Sequence, residues 1–384
     1  MMYAPDTVSR FLWSIGRRTE SEFYLSLFRA EAKERFAAIA VDGPVVDDAL
    51  DALVVDLRFL SDLGLVPVVV LGLFEAHRAV QQAGELAEGL EQAEIPAAVV
   101  QADGDASAAD QARALARAGK IALVPFGTPL GEATTPERFE RLGKLVAELG
   151  TGKVIFLQRR GGIALEGQPV GIVDLNTDET SLSASRDVSS KQRAILKGVG
   201  RLLDVLPHRC TFAITSPLDL LRELFTARGA GTLVRRAARI ERHTDYSTID
   251  LNRLRVMLES AFNKPLAPNF FARPVSRIYL EESYRGVAMV TEARLGAYMS
   301  KFAVERQAQG EGIGKDVWTA LIADYATVFW RSRITNPVNA WYTKQCDGTL
   351  RTEPWQVFWR GVPLESIPEA IGYALEQPKD FPRV

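Results

Sequence analysis

Between residues 36 and 158 the chain alternates two kinds of stretch so regularly that few folds can hold it. Short apolar runs at 36–41, 66–71, 97–100, 121–126 and 154–158 are separated by amphipathic stretches at 46–63, 79–92, 108–118 and 136–149. The runs are too short for helices, and they do not alternate apolar with polar residues as a half-exposed strand would. They read as strands buried on both faces, with helices between them. A β–α alternation of this kind predicts a mostly parallel sheet covered on both sides. After a loop-rich 161–187 the pattern continues with a helix at 190–206, a strand at 211–215, a helix at 217–225 and a Gly-rich return at 229–234. This α/β region, expected over 31–242, ends near Arg242.

At 384 residues the chain exceeds one ordinary core, so a second domain is expected. Residues 244–250 read as the junction, and the second domain is placed at 243–384. It contains a helix at 251–262 and strands at 277–280, 286–294 and 298–304. At the other end, residues 1–30 form an N-terminal helical segment. Phe11, Leu12, Ile15, Phe23, Tyr24, Leu27 and Phe28 recur at three and four, an apolar face that packs on its own domain or on another subunit.

A formal charge of −2 and 47% apolar residues describe an ordinary globular protein, with no basic surplus for nucleic acid. No run approaches the length of a membrane span, and residues 1–18 lack the apolar core of a signal peptide. Arg17 and Arg18 with Ser9 and Ser14 hint at an organelle presequence, but Glu20 and Glu22 oppose it; the cytoplasm is expected. Cys210 and Cys346 form neither a disulfide framework nor a metal spacing, so no metal is expected.

The chemistry is concentrated in the second domain. Lys301, Phe302, Ala303 and Val304 close a strand, Gly310, Gly312 and Gly314 punctuate a turn, and Val317, Leu321 and Ile322 recur at helical spacing behind it. A strand, a glycine turn and a helix N-terminus present free N–H groups to an anion. Further on, 329–334 is strand-like. Period two sets Arg331 and Arg333 on one face, with Trp330 and Ser332 on the other. Two neighbouring guanidiniums repel unless something anionic lies between them, and a dicarboxylate fits.

These residues carry a resemblance. The spacing Gln309-x-x-Gly312-x-Gly314 is similar to the pyrophosphate loop of GNAT acetyltransferases. Together with Glu223 to Leu233, Phe329 to Pro337, Ser14-Ile15-Gly16, Tyr24-Leu25 and Trp341-Tyr342, the whole chain resembles the N-acetylglutamate synthases of the vertebrate and bifunctional synthase/kinase branch. The resemblance implies an amino-acid kinase-like αβα sandwich followed by a GNAT α+β domain. It implies transfer of acetyl from acetyl-CoA to the α-amino group of L-glutamate. On it, Lys264, Arg331, Arg333 and Asn336 hold glutamate's carboxylates. Acetyl-CoA runs along Lys301, Phe302, Ala303 and Val304, with its pyrophosphate on Gln309, Gly310, Gly312 and Gly314. Tyr342 protonates the leaving thiolate. None of His77, His208 and His243 lies inside the second domain proper, so water rather than histidine takes the amine proton.

In the first domain the resemblance fails where a kinase would need it. Working relatives carry lysine and paired glycines after the first strand and His-Gly-Gly-Gly after the second. Here Val41-Asp42-Gly43-Pro44 and Leu71-Gly72-Leu73-Phe74 stand instead. An acid sits near the phosphate position, Pro44 lacks a donor and bulky side chains replace the cradle. Leu175-Asn176-Thr177-Asp178 only partly matches the family's Asn-x-Asn-Ala-Asp segment. The expectation is a kinase-inactive, regulatory and oligomerising domain. Glu223, Gly229 and Gly231 resemble the arginine site of arginine-sensitive acetylglutamate kinases; the residues alone also fit a helix end and tight turn. A bifunctional synthase/kinase, and an arginine-sensing protein with a silent acetyltransferase domain, are the competing readings. Family members assemble as homo-oligomers, so a dimer or tetramer is expected.

Overall fold

The computed structural model describes residues 12–16, 18–101, 107–127, 133–226, 229–378 and 381. The chain divides into two compact units, residues 1–236 and 237–384. The division falls before the expected junction at 244–250, because the strand Ile240–His243 pairs with Arg277–Glu281 in the second unit's sheet. Among the described residues no helix is long and apolar enough to cross a membrane.

In the first unit, helix α1 (Arg18–Ala30) precedes strand β1 (Ala38–Val41). Then follow α2 (Gly43–Asp62), β2 (Val68–Leu71), α3 (Ala79–Gln92), β3 (Ala97–Val99), α4 (Ala108–Arg117), β4 (Ile121–Pro125), α5 (Thr135–Leu149) and β5 (Lys153–Leu157). A small hairpin of β6 (Ala164–Leu165) and β7 (Gln168–Pro169) leads to β8 (Ile172–Asp174), α6 (Glu179–Ala184), α7 (Ser190–Val205), β9 (Thr211–Thr215), α8 (Leu220–Phe225) and β10 (Thr232–Arg235). The eight-stranded sheet has the order β3-β4-β2-β1-β5-β9-β10-β8. Pairing is parallel from β3 through β9, and β10 turns antiparallel against β9.

Successive residues of these strands feed opposite faces. Ile39 and Val41 enter a core beneath α1, α2 and α8, while Ala38 and Ala40 enter one beneath α5 and α7. That is why the strands carry no polar alternation. Helix starts are fixed locally. Thr134 with Glu137, and Ser189 with Gln192, form capping boxes at α5 and α7, each satisfying two amides that the helix itself cannot. The expected N-terminal helix is interrupted: residues 12–15 are helical, Gly16 bends, and α1 starts at Arg18. Residues 1–11 and Arg17 lie outside the described residues.

The second unit runs β11 (Ile240–His243), α9 (Leu251–Phe262), β12 (Arg277–Glu281), β13 (Gly286–Ala293), β14 (Gly296–Val304), α10 (Ile313–Asp324), β15 (Val328–Arg333), α11 (Asn339–Gln345), β16 (Gly348–Thr352), β17 (Trp355–Arg360) and α12 (Ile367–Glu376). Its sheet order is β11-β12-β13-β14-β15-β17-β16. Asp250 caps α9 through bonds of 3.0 and 3.1 Å from the amides of Asn252 and Arg253. Helix α10 packs over Tyr279, Ala288 and Trp330 on one face of the sheet; Leu254, Leu258 and Phe270 cover the other. Burying each large apolar side chain contributes roughly 1.5–3 kcal/mol before the entropy of ordering it.

Candidate active site

The sheet of the second unit is antiparallel except where β14 meets β15. Those two strands run parallel and pair only at Ala297–Val328 and Tyr298–Phe329. Past Tyr298 they part, while β14 stays paired to β13 as far as Val304. One edge of residues 300–304 therefore faces an opening instead of a neighbouring strand. Main-chain groups along such an edge need partners, and an extended amide-bearing arm is the partner that fits.

Beyond the opening β14 runs into the glycine turn. Gly310 and Gly312 have φ of +92° and +81°, the left-handed region where glycine pays no Cβ penalty. Gly312 is the N-cap of α10. Among the described residues the amides of Gly310, Ile313 and Gly314 donate to no protein acceptor. The macrodipole adds partial positive charge at the same place. Gly314 lies against β14: a Cβ there would stand 3.4 Å from Val304 Cγ2 and 3.7 Å from the Phe302 ring. An Arg285–Glu311 ion pair ties the turn to the start of β13. The turn thus combines free donors, positive potential and close backbone approach, which suits a pyrophosphate.

The opening is walled by aromatic side chains. Phe302 of β14 stacks on Trp341 at 5.3 Å and meets Tyr342 edge-on at 6.1 Å. Tyr342 also lies 5.4 Å from both Trp330 and Phe358. Its ring is buried, and among the described residues its hydroxyl forms no hydrogen bond. Burial raises its pKa, so the phenol keeps its proton at neutral pH. A buried hydroxyl beside this opening, with no partner among the described residues, is a free donor. Apolar walls also exclude water and strengthen any bond it makes.

The other predicted side chains spread more widely. Arg331 and Arg333 do share one face of β15, with Trp330 and Ser332 on the other, as their exposure shows. Both guanidiniums lie over the Trp355 ring, at 4.1 and 4.2 Å from its centroid. Arg331 also donates to the carbonyls of Leu375, Gln377 and Pro378 at 2.8, 2.7 and 2.9 Å. It secures the negative end of α12 while keeping part of its guanidinium edge. Asn336 is turned inward, its amide bonding Ser332 Oγ and its oxygen accepting from the Val338 amide. Lys264 is exposed just past Asn263, the left-handed end of α9. Lys301, expected to contribute only main chain, is buried to 5% exposure, with its ammonium 5.4 Å from the Phe270 ring and 5.7 Å from Phe381. The strand pattern hid that side chain, because a lysine inside an apolar run reads as a strand end.

In the first unit Glu223 is buried and engaged. One carboxylate oxygen accepts from the amides of Ala230 and Gly231 at 3.0 and 3.2 Å, and the other pairs with Lys153 at 3.2 Å. Gly231 admits no side chain, since a Cβ would stand 2.1 Å from the Ile214 oxygen. Gly229 lies beside the same carboxylate, whereas residues 227–228 fall outside the described residues. A neighbouring cleft of 680 Å³ was not foreseen. It is lined by Ser14, Asp51, Asp56, Leu218 and Arg222 among others. Asp56 is 8% exposed, its Oδ2 has no hydrogen-bond partner among the described residues, and burial pushes its pKa up to about 7.

Residues 241–376 match the family model described as NAT, the N-acetyltransferase of N-acetylglutamate synthase. An acetylglutamate kinase of Xanthomonas campestris pv. campestris is 33% identical over 92% of this chain and 97% of its own length. The human mitochondrial N-acetylglutamate synthase is 30% identical over 94% of this chain and 76% of its own length. The chain belongs to the N-acetylglutamate synthase family. It is an amino-acid N-acetyltransferase with the family's two-part architecture, an amino-acid kinase-like unit followed by a GNAT unit. The N-acetylglutamate synthase of Neisseria gonorrhoeae, solved with coenzyme A and N-acetyl-glutamate, shares the fold at a TM-score of 0.52 and 16% identity, covering 88% of this chain and 98% of that one. A second structure of that synthase, with coenzyme A and L-arginine, superposes with a TM-score of 0.53 at 16% identity, over 89% of this chain and 97% of that one.

Proposed function

We propose that this N-acetylglutamate synthase takes acetyl-CoA into the opening between β14 and β15, with the pantetheine arm on residues 301–304 and the pyrophosphate on the 309–314 turn. L-Glutamate is held by Arg331, Arg333, Asn336 and Lys264, with its neutral α-amine directed at the thioester carbonyl. Attack forms the new C–N bond and a tetrahedral oxyanion. Collapse breaks the C–S bond, Tyr342 protonates the departing thiolate, and water removes the amine proton. Alignment supplies most of the acceleration, with Tyr342 adding a general-acid contribution. The observation that carries this reading is the parting of β14 from β15 directly ahead of a turn with free amides.

The first unit regulates and assembles in this proposal. Its crevice at the ends of β1 and β2 is filled from within. Lys191 Nζ binds Asp42 at 2.7 Å and Glu75 at 2.8 Å, and buried Arg138 takes the carbonyls of Leu73 and Phe74. The lysine that a phosphoryl group would need is already neutralised. A kinase reading is favoured by the name of the Xanthomonas relative, so ADP release from ATP and N-acetylglutamate should be assayed beside acetyl transfer. For L-arginine, Glu223, Gly229 and Gly231 provide one site only if Lys153 yields. The Asp56 cleft offers an acid with no competing partner. Exposed Val55 and Leu218 border that cleft and suit a dimer or tetramer contact. Free Cys210 and Cys346 agree with a cytoplasmic, reducing location.

Thiol release from acetyl-CoA, run with glutamate, aspartate and glutamine and with or without L-arginine, tests the proposal. Release with glutamate alone, altered by arginine, is expected. Release indifferent to arginine would leave the synthase and remove the effector. No release with any acceptor would favour the silent, arginine-sensing reading.

A further inference from the structure

Trp355 opens β17 directly across from Arg333 in the β15–β17 register. Both guanidiniums of β15 lie over its indole, at 4.1 Å for Arg331 and 4.2 Å for Arg333. Two like charges on one strand face repel, and the negative face of an indole offsets that repulsion. The two arginines are not equivalent. Arg331 is secured by three carbonyls at the end of α12. Arg333 is exposed, and its guanidinium donates to no acceptor among the described residues. Stacking occupies the flat face of a guanidinium and leaves its in-plane N–H edge open, which is the edge a carboxylate binds bidentately.

We infer that Trp355 is a positioning residue for the acceptor substrate: it holds the Arg333 guanidinium flat, with its edge ready for a glutamate carboxylate. Arg331, tied to α12, fixes the ring on which Arg333 lies. The inference rests on the reading that Arg333 binds substrate. Without the ring, Arg333 becomes a mobile surface side chain, and its carboxylate contact must be organised anew in each binding event.

Steady-state kinetics of the full-length enzyme test this with Trp355→Leu, Trp355→Met, Trp355→Tyr, Arg333→Gln and the Arg333→Gln/Trp355→Leu pair. Trp355→Leu and Trp355→Met should raise KM for glutamate about tenfold, with kcat and KM for acetyl-CoA within about twofold, the size of one stacking contact. Trp355→Tyr, which keeps an aromatic face, should restore KM. The double variant should be no worse than Arg333→Gln alone, because Trp355 acts through Arg333. Leu and Met have similar volumes but different shapes, so a folding defect confined to one of them leaves the test intact. The inference is overturned if Arg333→Gln raises KM for glutamate while Leu and Met do not. Equal defects in the Tyr and Leu variants, or in KM for both substrates, would overturn it too, reducing Trp355 to scaffold. If Arg333→Gln itself leaves KM for glutamate unchanged, the underlying reading of the arginines fails and the inference falls with it.

Discussion

Two strand–glycine–helix turns among the described residues share one plan, and they differ in whether the space they face is filled. In the first unit β1 passes through Asp42 into α2 at Gly43; in the second, β14 passes through the 309–312 turn into α10 at Ile313. Both aim a helix N-terminus, with its positive dipole end, at the space above a sheet, but at the first Pro44 has no N–H and the Val45 amide donates to the Asp42 carbonyl. At the first, Asp42 occupies that space and Lys191 neutralises it. At the second, the amides of Gly310, Ile313 and Gly314 have no protein acceptor among the described residues. A glycine at a helix start therefore does not define an anion site. The side chains that enter the space decide, and here they separate a turn filled by an ion pair from one whose amides stay open.

The comparison breaks most readily at Gly312. Valine there must adopt φ near +81°, a region closed to β-branched residues. Relief would rotate the amides that cap the turn. Gly312→Val should lower kcat/KM for acetyl-CoA about 100-fold or more, with a much smaller change in KM for glutamate. Equal loss for both substrates would mean that the turn shapes the whole unit rather than one ligand's seat. Next in size is Tyr342→Phe. It removes only a hydroxyl that has no partner among the described residues, so it should cost little stability and lower kcat about 100-fold at unchanged KM values. An unaltered kcat would return Tyr342 to the aromatic wall.

Much of this was legible before any coordinates. The alternating apolar runs identified a mostly parallel sheet, because a strand buried on both faces cannot hide its composition; the order in which those strands pair was not legible. Period two placed Arg331 and Arg333 correctly. What the sequence withheld was long-range. Nothing near Lys191 announces that it reaches Asp42 and Glu75, which are 149 and 116 residues away. Trp355 reads as one aromatic in a strand, and only the β15–β17 register shows two guanidiniums over it. Asp56 belongs to an ordinary amphipathic helix until the segment at 217–222 closes over it. The missed β11 was similarly non-local, since Ile240–His243 has little strand character except beside β12.

Lys191→Met sharpens the contrast from the first unit's side. It strands the Asp42 carboxylate, which is buried, next to Glu75. The Lys191 side chain is 30% exposed, so solvent screens part of the pair and the cost should be about 1–2 kcal/mol rather than that of a fully buried bridge. A lower melting temperature with acetyl transfer retained is the expected result. If glutamate acetylation instead collapsed while the fold held, the crevice would be part of the catalytic apparatus.

The smallest effect belongs to Asp42 itself, and its sign discriminates between two accounts of the closed turn. Burial, helped by the neighbouring Glu75 charge, raises the Asp42 pKa; the hydrogen bond and charge of Lys191 oppose it, and the net direction is up. A carboxyl raised above its unfolded value, about 4, stabilises the fold most when protonated. That contribution is complete below the unfolded value and is lost as pH rises through the folded one. The stability advantage of the native chain over Asp42→Asn, followed by thermal melts from pH 4 to 7, should therefore shrink as pH rises. If Lys191 dominated instead, the carboxyl would be lowered and the advantage would grow with pH. The open turn at Gly312 binds through main-chain amides, so acetyl-CoA affinity should show the same pH profile in the native chain and Asp42→Asn, any step in both coming from the cofactor's own phosphate, which titrates at about pH 6. A step that Asp42→Asn removes would mean that the two turns differ less than their side chains imply.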